Sequence, residues 1–274
     1  MNILITGGFG LIGRRLVSEL SNNNNIFLIS RNIKPENTAT NIVTIHHDLL
    51  VPLPVEKIPK DINVVIHLAA IAHKTSSEIM RINCLMTRNI TDAFLNKKVK
   101  FIFFSSVAVY GEANRLFPIK TSDFCKPYSS YGLGKLKDEG VISSSFKDFI
   151  ILRLCPVIEG DDTDLLKRVY FPKTKIKYRS PYKRIYSFLS HRTIFKTVNN
   201  IINGDNITNK IINLKDSSNY NESDILKKYN GREVKIPLLI AMPLFYFLNL
   251  LSIVPKIYTI NCLLTKMLKS NTYE

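Results

Sequence analysis

The chain opens on Met1-Asn-Ile-Leu-Ile-Thr-Gly-Gly-Phe-Gly-Leu-Ile-Gly13, and this stretch limits the fold more than any other. Ile3, Leu4 and Ile5 form the short apolar run of a buried strand, which leads into a turn holding Gly7, Gly8, Gly10 and Gly13. Apolar residues then recur at 11, 12, 16, 17 and 20, a helical spacing. Strand, glycine turn and helix in that order form the setting in which such a glycine pattern binds a dinucleotide. The early glycines permit a tight turn and the close approach of a pyrophosphate, and the last lets helix pack on strand. The helix N-terminus adds free N–H groups and the positive end of its dipole. The competing reading is a glycine-rich turn without a ligand.

Further strands are expected at 26–30, 42–46, 63–68, 100–105 and 149–153, rich in Ile, Val and Phe and nearly continuous in apolar character. Such runs suit strands covered on both faces. Helices are expected at about 11–21, 78–96, 131–146, 191–203 and 221–229. The alternation predicts an α/β fold, a doubly wound parallel sheet of the Rossmann type with a smaller C-terminal substrate lobe. Residues 1–155 with about 185–214 are assigned to the dinucleotide-binding domain, and about 156–184 with 215–274 to the lobe.

Four scattered cysteines (Cys84, Cys125, Cys155, Cys262) show no CxxC pair and no zinc spacing, which points to a reducing compartment, the cytoplasm, and to no metal. The N-terminus reads as a strand, not a signal peptide. Net charge is +16, which favours anionic partners unless it only reflects a lysine-rich proteome. The bias is local between Lys167 and Arg184, where tyrosines and Phe171 interleave with basic residues and no acid appears. No nucleic-acid-binding signature accompanies it, so nucleic acid is not taken as a partner. Ile236–Pro255 is uncharged and near the length of a membrane span. Pro237, Pro243, Pro255 and Asn249 favour a buried or interfacial helix, with contact at a membrane surface as the alternative.

At the end of the second strand Ser30 and Arg31 stand where an acid would bind the adenine ribose. A hydroxyl and a cation suit a 2′-phosphate, so NADP(H) is favoured and NAD(H) is the alternative. Asp48 could accept from the adenine amino group or simply cap a turn. Leu68, Ala69 and Ala70 end the fourth strand with little bulk, which lets backbone approach a cofactor ribose. Tyr131 and Lys135 share one helix face a turn apart. The ammonium is expected to lower the phenol's pKa, so that Tyr131 exchanges a proton with a sugar oxygen while hydride passes to or from nicotinamide. Ser106, closing the fifth strand, can hydrogen-bond the same oxygen.

Taken together these motifs resemble the extended short-chain dehydrogenase/reductase family, the NAD(P)-dependent nucleotide-sugar epimerase/dehydratase group. The matching pieces are Thr6 to Gly13, Asp48-Leu49, His67 to Ala70, Ser105-Ser106 with Val109-Tyr110-Gly111, Pro127 with Ser129, Tyr131-Gly132 and Lys135, and Arg153 with Pro156. The resemblance implies a catalytic set of Ser106, Tyr131 and Lys135. It implies cofactor contacts from Gly7, Phe9, Gly10, Leu11, Ile12, Gly13, Asp48, Leu49, Leu68, Ala69, Ala70, Tyr131, Lys135 and Pro156, beside Arg31. It also implies a nucleotide-diphosphate sugar as substrate and a homodimer paired through the helices at 78–96 and 131–146. His73 and Arg184 are candidate substrate residues, Arg184 for the diphosphate.

The chain departs from the family pattern in four places. Gly134 stands where Ser is common, and Glu159 replaces the usual Tyr after Pro156-Val-Ile. Val107 and Ala108 occupy the place of the dehydratases' acidic residues, which speaks against elimination of water. The chain ends at Glu274, short of the terminal segment many members carry, and this predicts a reduced sugar pocket. The expected activity is reduction of an NDP-4-keto-6-deoxy sugar in surface-polysaccharide biosynthesis. An NDP-hexose 4-epimerase is the first alternative, and a catalytically idle NADP-binding sensor the second.

Overall fold

The computed structural model describes residues 1–31, 40–71, 77–111, 118–158, 170–171, 176–179, 184–204, 207–227, 230–235 and 270–274, with single positions at 237, 243, 247, 254, 257 and 260. His73, Glu159, most of the 167–184 basic stretch and most of 236–255 lie outside the described residues. Among the described residues no helix is long and apolar enough to cross a membrane.

Alternation of strand and helix carries the first half of the chain. Strands β1 (Asn2–Thr6), β2 (Asn25–Ser30), β3 (Ile42–His46), β4 (Val64–His67), β5 (Lys100–Ser106) and β6 (Phe149–Leu154) follow the apolar runs closely. Helices α1 (Leu11–Leu20), α2 (Ser77–Phe94) and α3 (Ser130–Ser145) connect them. Beyond β6 come short strands β7 (Val157–Ile158), β8 (Tyr170–Phe171), β9 (Ile176–Arg179), β10 (Ile185–Tyr186) and β11 (Leu189–Ser190). Helix α4 (His191–Asn203), β12 (Lys210–Leu214), β13 (Tyr220–Asn221), α5 (Glu222–Lys227) and β14 (Arg232–Lys235) complete the described elements.

The central sheet has seven strands in the order β12-β6-β5-β4-β1-β2-β3. The pairings β1–β2, β1–β4, β2–β3 and β4–β5 are all parallel. The strand order reverses at β1, the switch point at which open α/β sheets bind ligands beyond their carboxyl ends. β1 and β4 are buried along almost their whole length because both sheet faces are covered. One face carries a cluster that includes Leu4, Val65, Phe101, Phe103 and Ile151 with Ile90 and Phe94 of α2 and Ile142 of α3. β12 was not expected: its Lys-Ile-Ile-Asn-Leu is short and has two exposed residues, so it lacks the run that marks the inner strands.

The chain separates into two compact units. The first comprises Met1–Val109, Ser130–Arg153 and His191–Ile212, and the second Tyr110–Ser129, Leu154–Ser190 and Asn213–Glu274. Residues 110–129 and 185–190 thus group with the second unit, whereas the sequence placed them with the first. Local bonds account for this. Tyr110 donates to Asn213 at 2.7 Å, Asn213 donates to the Ile119 carbonyl at 3.3 Å, and β10 pairs with β13. Within the second unit Tyr186, Phe188, Ile225 and Leu226 form a small apolar cluster. Residues 271–274 run beside β10 and Ile119, where Asn271 bonds to Ile185 and Ser187 and Glu274 to Ile119.

One buried ion pair joins α3 to β6. Arg153 meets Glu139 at 2.7 Å, with side chains 5% and 4% exposed, and Ser105 of β5 donates to the same carboxylate. Replacing one member would leave the other charged and desolvated. We expect Arg153→Met to cost about 3–5 kcal/mol of unfolding free energy, read as a lower urea midpoint at neutral pH.

Candidate active site

The glycine turn is built by backbone contact. Gly7 has φ +72°, and a Cβ there would stand 2.7 Å from the Ala69 nitrogen. A Cβ on Gly13 would strike the Gly7 carbonyl, whereas one on Gly10 would meet only that oxygen at 3.2 Å. Gly7 and Gly13 therefore serve close packing of α1, β1 and the end of β4, and Gly10 leaves its outer side open. Gly10 also caps α1 with no side-chain bond, and the first turn carries no acid. Both features leave the helix N-terminus available to an anion. Phe9 is half-buried and Leu11 exposed. The Ile12 side chain faces a different cleft, shared with Leu16 of α1 and Ile194 and Phe195 of α4.

Next to the turn lies a cleft of about 210 Å³ lined by Gly7, Ile29, Ser30, Arg31, His47, Asp48, Leu49, Ala69, Ala70, Ile71 and Met86. All but Ile29, His47, Ile71 and Met86 were singled out from the sequence. Arg31 and Asp48 face each other at 3.8 Å across its rim. Asp48 also accepts from the Leu50 backbone at 3.0 Å, a local turn bond. The open glycine cradle, the uncapped helix and this adjoining cleft together fit a dinucleotide, whose phosphates the N-terminus of α1 could hold and whose adenosine the cleft could take.

The residues expected to handle the proton, Ser106, Tyr131 and Lys135, come together on the same unit. Ser106 ends β5, and its oxygen accepts from the Ala108 backbone at 3.2 Å. Its hydroxyl is thereby turned to donate to Tyr131 of α3, with which it is hydrogen-bonded. Lys135 follows one turn later with 4% exposure. Its ammonium donates to the Phe104 carbonyl at 2.8 Å and lies 4.5 Å from the Phe103 ring centre.

The electrostatics correct one expectation. Tyr131 as a residue is only partly covered, yet its hydroxyl is surrounded, and burial pushes the phenol up to about 12. The Ser106 bond favours the phenolate and pulls the other way, while the charge of Asp138 adds to the rise. Lys135 does not acidify Tyr131 here, because its charge is directed to Phe104, Asp138 and Glu139. Burial pulls Lys135 itself down to about 8, against the opposing pull of Asp138, Glu139 and Cys84.

A polar file not foreseen from the sequence runs behind these residues. Asn83 of α2 accepts from the Ile71 nitrogen at 2.9 Å and donates to its carbonyl at 3.1 Å, which holds the chain leaving β4. Thr87 donates to the Asn83 carbonyl at 3.2 Å and meets His67 Nε2 at 3.1 Å. The one Thr87 proton is shared between two acceptors, the Asn83 carbonyl and the Asp138 carboxylate, so Nε2 must be the donor, and Nδ1 accepts from Thr6 at 2.6 Å. Thr6 in turn accepts from the Ala69 nitrogen at 3.2 Å. The signal was present in α2, where Asn83 and Thr87 are polar residues on the face that helical spacing turns inward.

Two further candidates have other settings. Arg184 is 1% exposed in the second unit, paired with Glu222 and lying over the Tyr186 ring. A guanidinium taken out of water needs a carboxylate, so its charge is met by Glu222 and is not held out for a diphosphate. The Pro156 carbonyl accepts from the Leu189 nitrogen at 3.0 Å. Gly134 has a packing reason: a Cβ there would stand 3.1 Å from Met80 of α2.

A family model described as the NAD dependent epimerase/dehydratase family matches residues 3–161. The chain is 30% identical over 172 residues to a D-erythronate dehydrogenase of Haemophilus influenzae, covering 56% of this chain and 54% of that protein. It is 35% identical over 156 residues to a putative UDP-glucose 4-epimerase of Methanocaldococcus jannaschii, covering 51% and 49%. The chain thus spans about half the length of the curated relatives it matches. Among solved structures, a UDP-glucuronic acid 4-epimerase of Bacillus cereus in complex with NAD is similar with a TM-score of 0.71 at 22% identity, covering 86% of this chain and 87% of that one. A UDP-N-acetylglucosamine 4-epimerase of Methanobrevibacter ruminantium in complex with UDP-N-acetylmuramic acid gives 0.66 at 26%, covering 85% and 84%.

His67 supplies a test of the polar file. Burial, with a smaller contribution from Lys135, lowers its pKa from 6.5 to about 3. The unfolded imidazole takes a proton below pH 6.5 and the folded one does not, so stability falls as pH drops through that window. The slope attributable to His67 is at most about 1.4 kcal/mol per pH unit. Urea unfolding of the wild type between pH 7 and 4 should show it, and His67→Gln should lack it.

Proposed function

Since this chain belongs to the NAD dependent epimerase/dehydratase family, we propose that it is a nicotinamide-dependent enzyme that interconverts C4 epimers of a nucleotide-diphosphate hexose. The observation that carries this reading is the Ser106–Tyr131 hydrogen bond with Lys135 one turn further along α3, on the unit that also holds the glycine cradle. The epimerase names among the relatives and the structural neighbours support it over the keto-sugar reductase that Ser30 and Arg31 suggested.

The glycine cradle and Lys135 would hold the nicotinamide cofactor, which would supply a reversible hydride acceptor for the sugar C4. The chain's own residues handle the proton. Tyr131 takes it from the C4 hydroxyl in the first half-reaction and gives it back to the same oxygen in the second, so the cycle consumes neither proton nor cofactor. Ser106 donates to that oxygen and holds it against the phenol. Lys135 would hydrogen-bond the nicotinamide ribose, its charge held by the core and not by the phenol. Tyr131 is protonated before the site is loaded, and the positive charge of an oxidised nicotinamide is the added influence that favours the phenolate.

NADP(H) over NAD(H) belongs to the proposal on the strength of Arg31, which is 65% exposed at the cleft rim. A homodimer through α2 and α3 belongs to it as well, since Leu85, Leu133 and Val141 on those helices are exposed.

The experiment is an assay of the full chain with a panel of UDP-hexoses and their 4-keto derivatives, following both sugar identity and absorbance of the reduced cofactor. Interconversion without net change in cofactor is the expected result. Net oxidation of NADPH with a 4-keto sugar would establish the reductase instead, and cofactor binding without turnover the idle sensor. Tyr131→Phe should lower turnover about 10²–10⁴-fold with cofactor affinity unchanged. Arg31→Ala should weaken NADPH about tenfold or more while sparing NADH, as loss of one charge-assisted bond does. Equal loss for both cofactors would deny Arg31 a role in choosing between them.

A further inference from the structure

The inward face of α3 holds an acid that the proposed reaction does not use. Asp138 lies one turn beyond Lys135, is 2% exposed, and is hydrogen-bonded to the side chains of Cys84 and Thr87 on α2. The Lys135 ammonium is buried as well, against the Phe104 carbonyl and the Phe103 ring. A carbonyl dipole and a ring face supply partial negative charge, whereas a whole ammonium out of water needs an anion.

Two carboxylates act on Lys135, those of Asp138 and Glu139. Glu139 is already matched by Arg153 at 2.7 Å and also accepts from Ser105. The other titratable groups nearby carry no charge at neutral pH. His67 from β4 is held neutral, the Cys84 thiol is pushed up to about 12 by burial and by Asp138, and Tyr131 keeps its proton. Lys137, on the exposed side of α3, adds only a further cation near Cys84. Asp138 is left as the counter-charge: burial pushes its carboxyl up, and Lys135 with the Cys84 and Thr87 bonds opposes that rise.

We propose that Asp138 is a positioning residue, whose buried carboxylate, clamped by Cys84 and Thr87, supplies the negative charge that lets the Lys135 ammonium stand in the core and meet the cofactor. The proposal rests on the cofactor-facing role given to Lys135 above. The clamp also ties that charge to the cradle. Thr87 is shared with His67, and His67 reaches Thr6 and through it the Ala69 nitrogen against which Gly7 packs. Asp138 thus fixes Lys135 relative to the same backbone that shapes the cofactor site.

Burial favours the neutral amine at Lys135 and Asp138 opposes it. Removing the charge while keeping the shape must therefore make Lys135 lose its proton at lower pH. Asp138→Asn does this, since an amide oxygen still accepts from Cys84 and Thr87. The test is an NMR titration of the full chain with lysines labelled at Cε, the Lys135 signal being identified by its loss in Lys135→Met. The wild-type midpoint should fall near 8, and in Asp138→Asn it should move to lower pH by about one unit or more. The upper-pH limb of NADH and NADPH affinity, followed by cofactor fluorescence, should move with it.

Thr87→Val removes one clamp and keeps the charge, so its Lys135 midpoint should stay near that of the wild type. An unchanged midpoint in Asp138→Asn overturns the proposal, as does an equal shift in Thr87→Val, which would assign the effect to packing. If Asp138→Asn does not fold, the wild type decides: the Asp138 carboxyl carbon must report a carboxylate at pH 7, and a neutral acid there overturns the proposal. Failure of the wild type to bind either cofactor at any pH would sink the reading of the site, and the lysine titration would then still judge Asp138 as counter-charge.

Discussion

The inner face of α3 is charged where a helix packed on a sheet is ordinarily apolar. Lys135, Asp138 and Glu139 are all buried, with Ile142 the one large aliphatic among the helix's buried residues. Buried charges are tolerated only when paired and hydrogen-bonded. Each partner therefore fixes an element: Arg153 holds β6, Ser105 and Phe104 hold β5, and Cys84 and Thr87 hold α2. A hydrophobic contact would allow α3 to slide or rotate slightly at little cost. A lattice of directed bonds does not, and Tyr131 on the same helix inherits that precision.

Glycine packing sets the complementary constraint on the other side of the sheet's switch point. Because Gly13 carries no Cβ, α1 comes down onto the turn after β1, and because Gly7 carries none, that turn comes down onto Ala69 beyond β4. The cofactor cradle and the proton-handling pair are then joined through β4 and α2 by Thr6, His67 and Thr87, all fully covered. The geometry of the proposed site and the core are one structure here, and the Arg153–Glu139 pair serves both.

Much of this was legible in the residues. The glycine turn, the continuous apolar strands and the Tyr131–Lys135 spacing each have one dominant physical meaning, and the first unit follows them. The polar file was not legible, because a buried Thr87 or Asp138 is recognised only by what it faces, and those partners are dozens of residues away in the chain. The second unit was harder for a different reason. Its strands are two to four residues long, too short to display a period, and its core is small and aromatic, built on Tyr186 and Phe188. Arg184 shows the same difficulty in one residue: nothing local distinguishes an arginine that meets a ligand from one that meets Glu222. The expected acidification of Tyr131 failed on direction, since sequence spacing places a cation near a phenol but says nothing of how deeply the hydroxyl is dehydrated.

The pair at the mouth of the cleft has a different character from those in the core. Arg31 and Asp48 are 65% and 40% exposed and 3.8 Å apart, in water that screens charges over about 8 Å at physiological ionic strength. Their attraction, and any pull they exert on an incoming phosphate, weakens as salt is added, while the covered charges along α3 feel little of it. Ionic strength can thus retune how the mouth of the cleft meets an anion without disturbing the covered charges along α3.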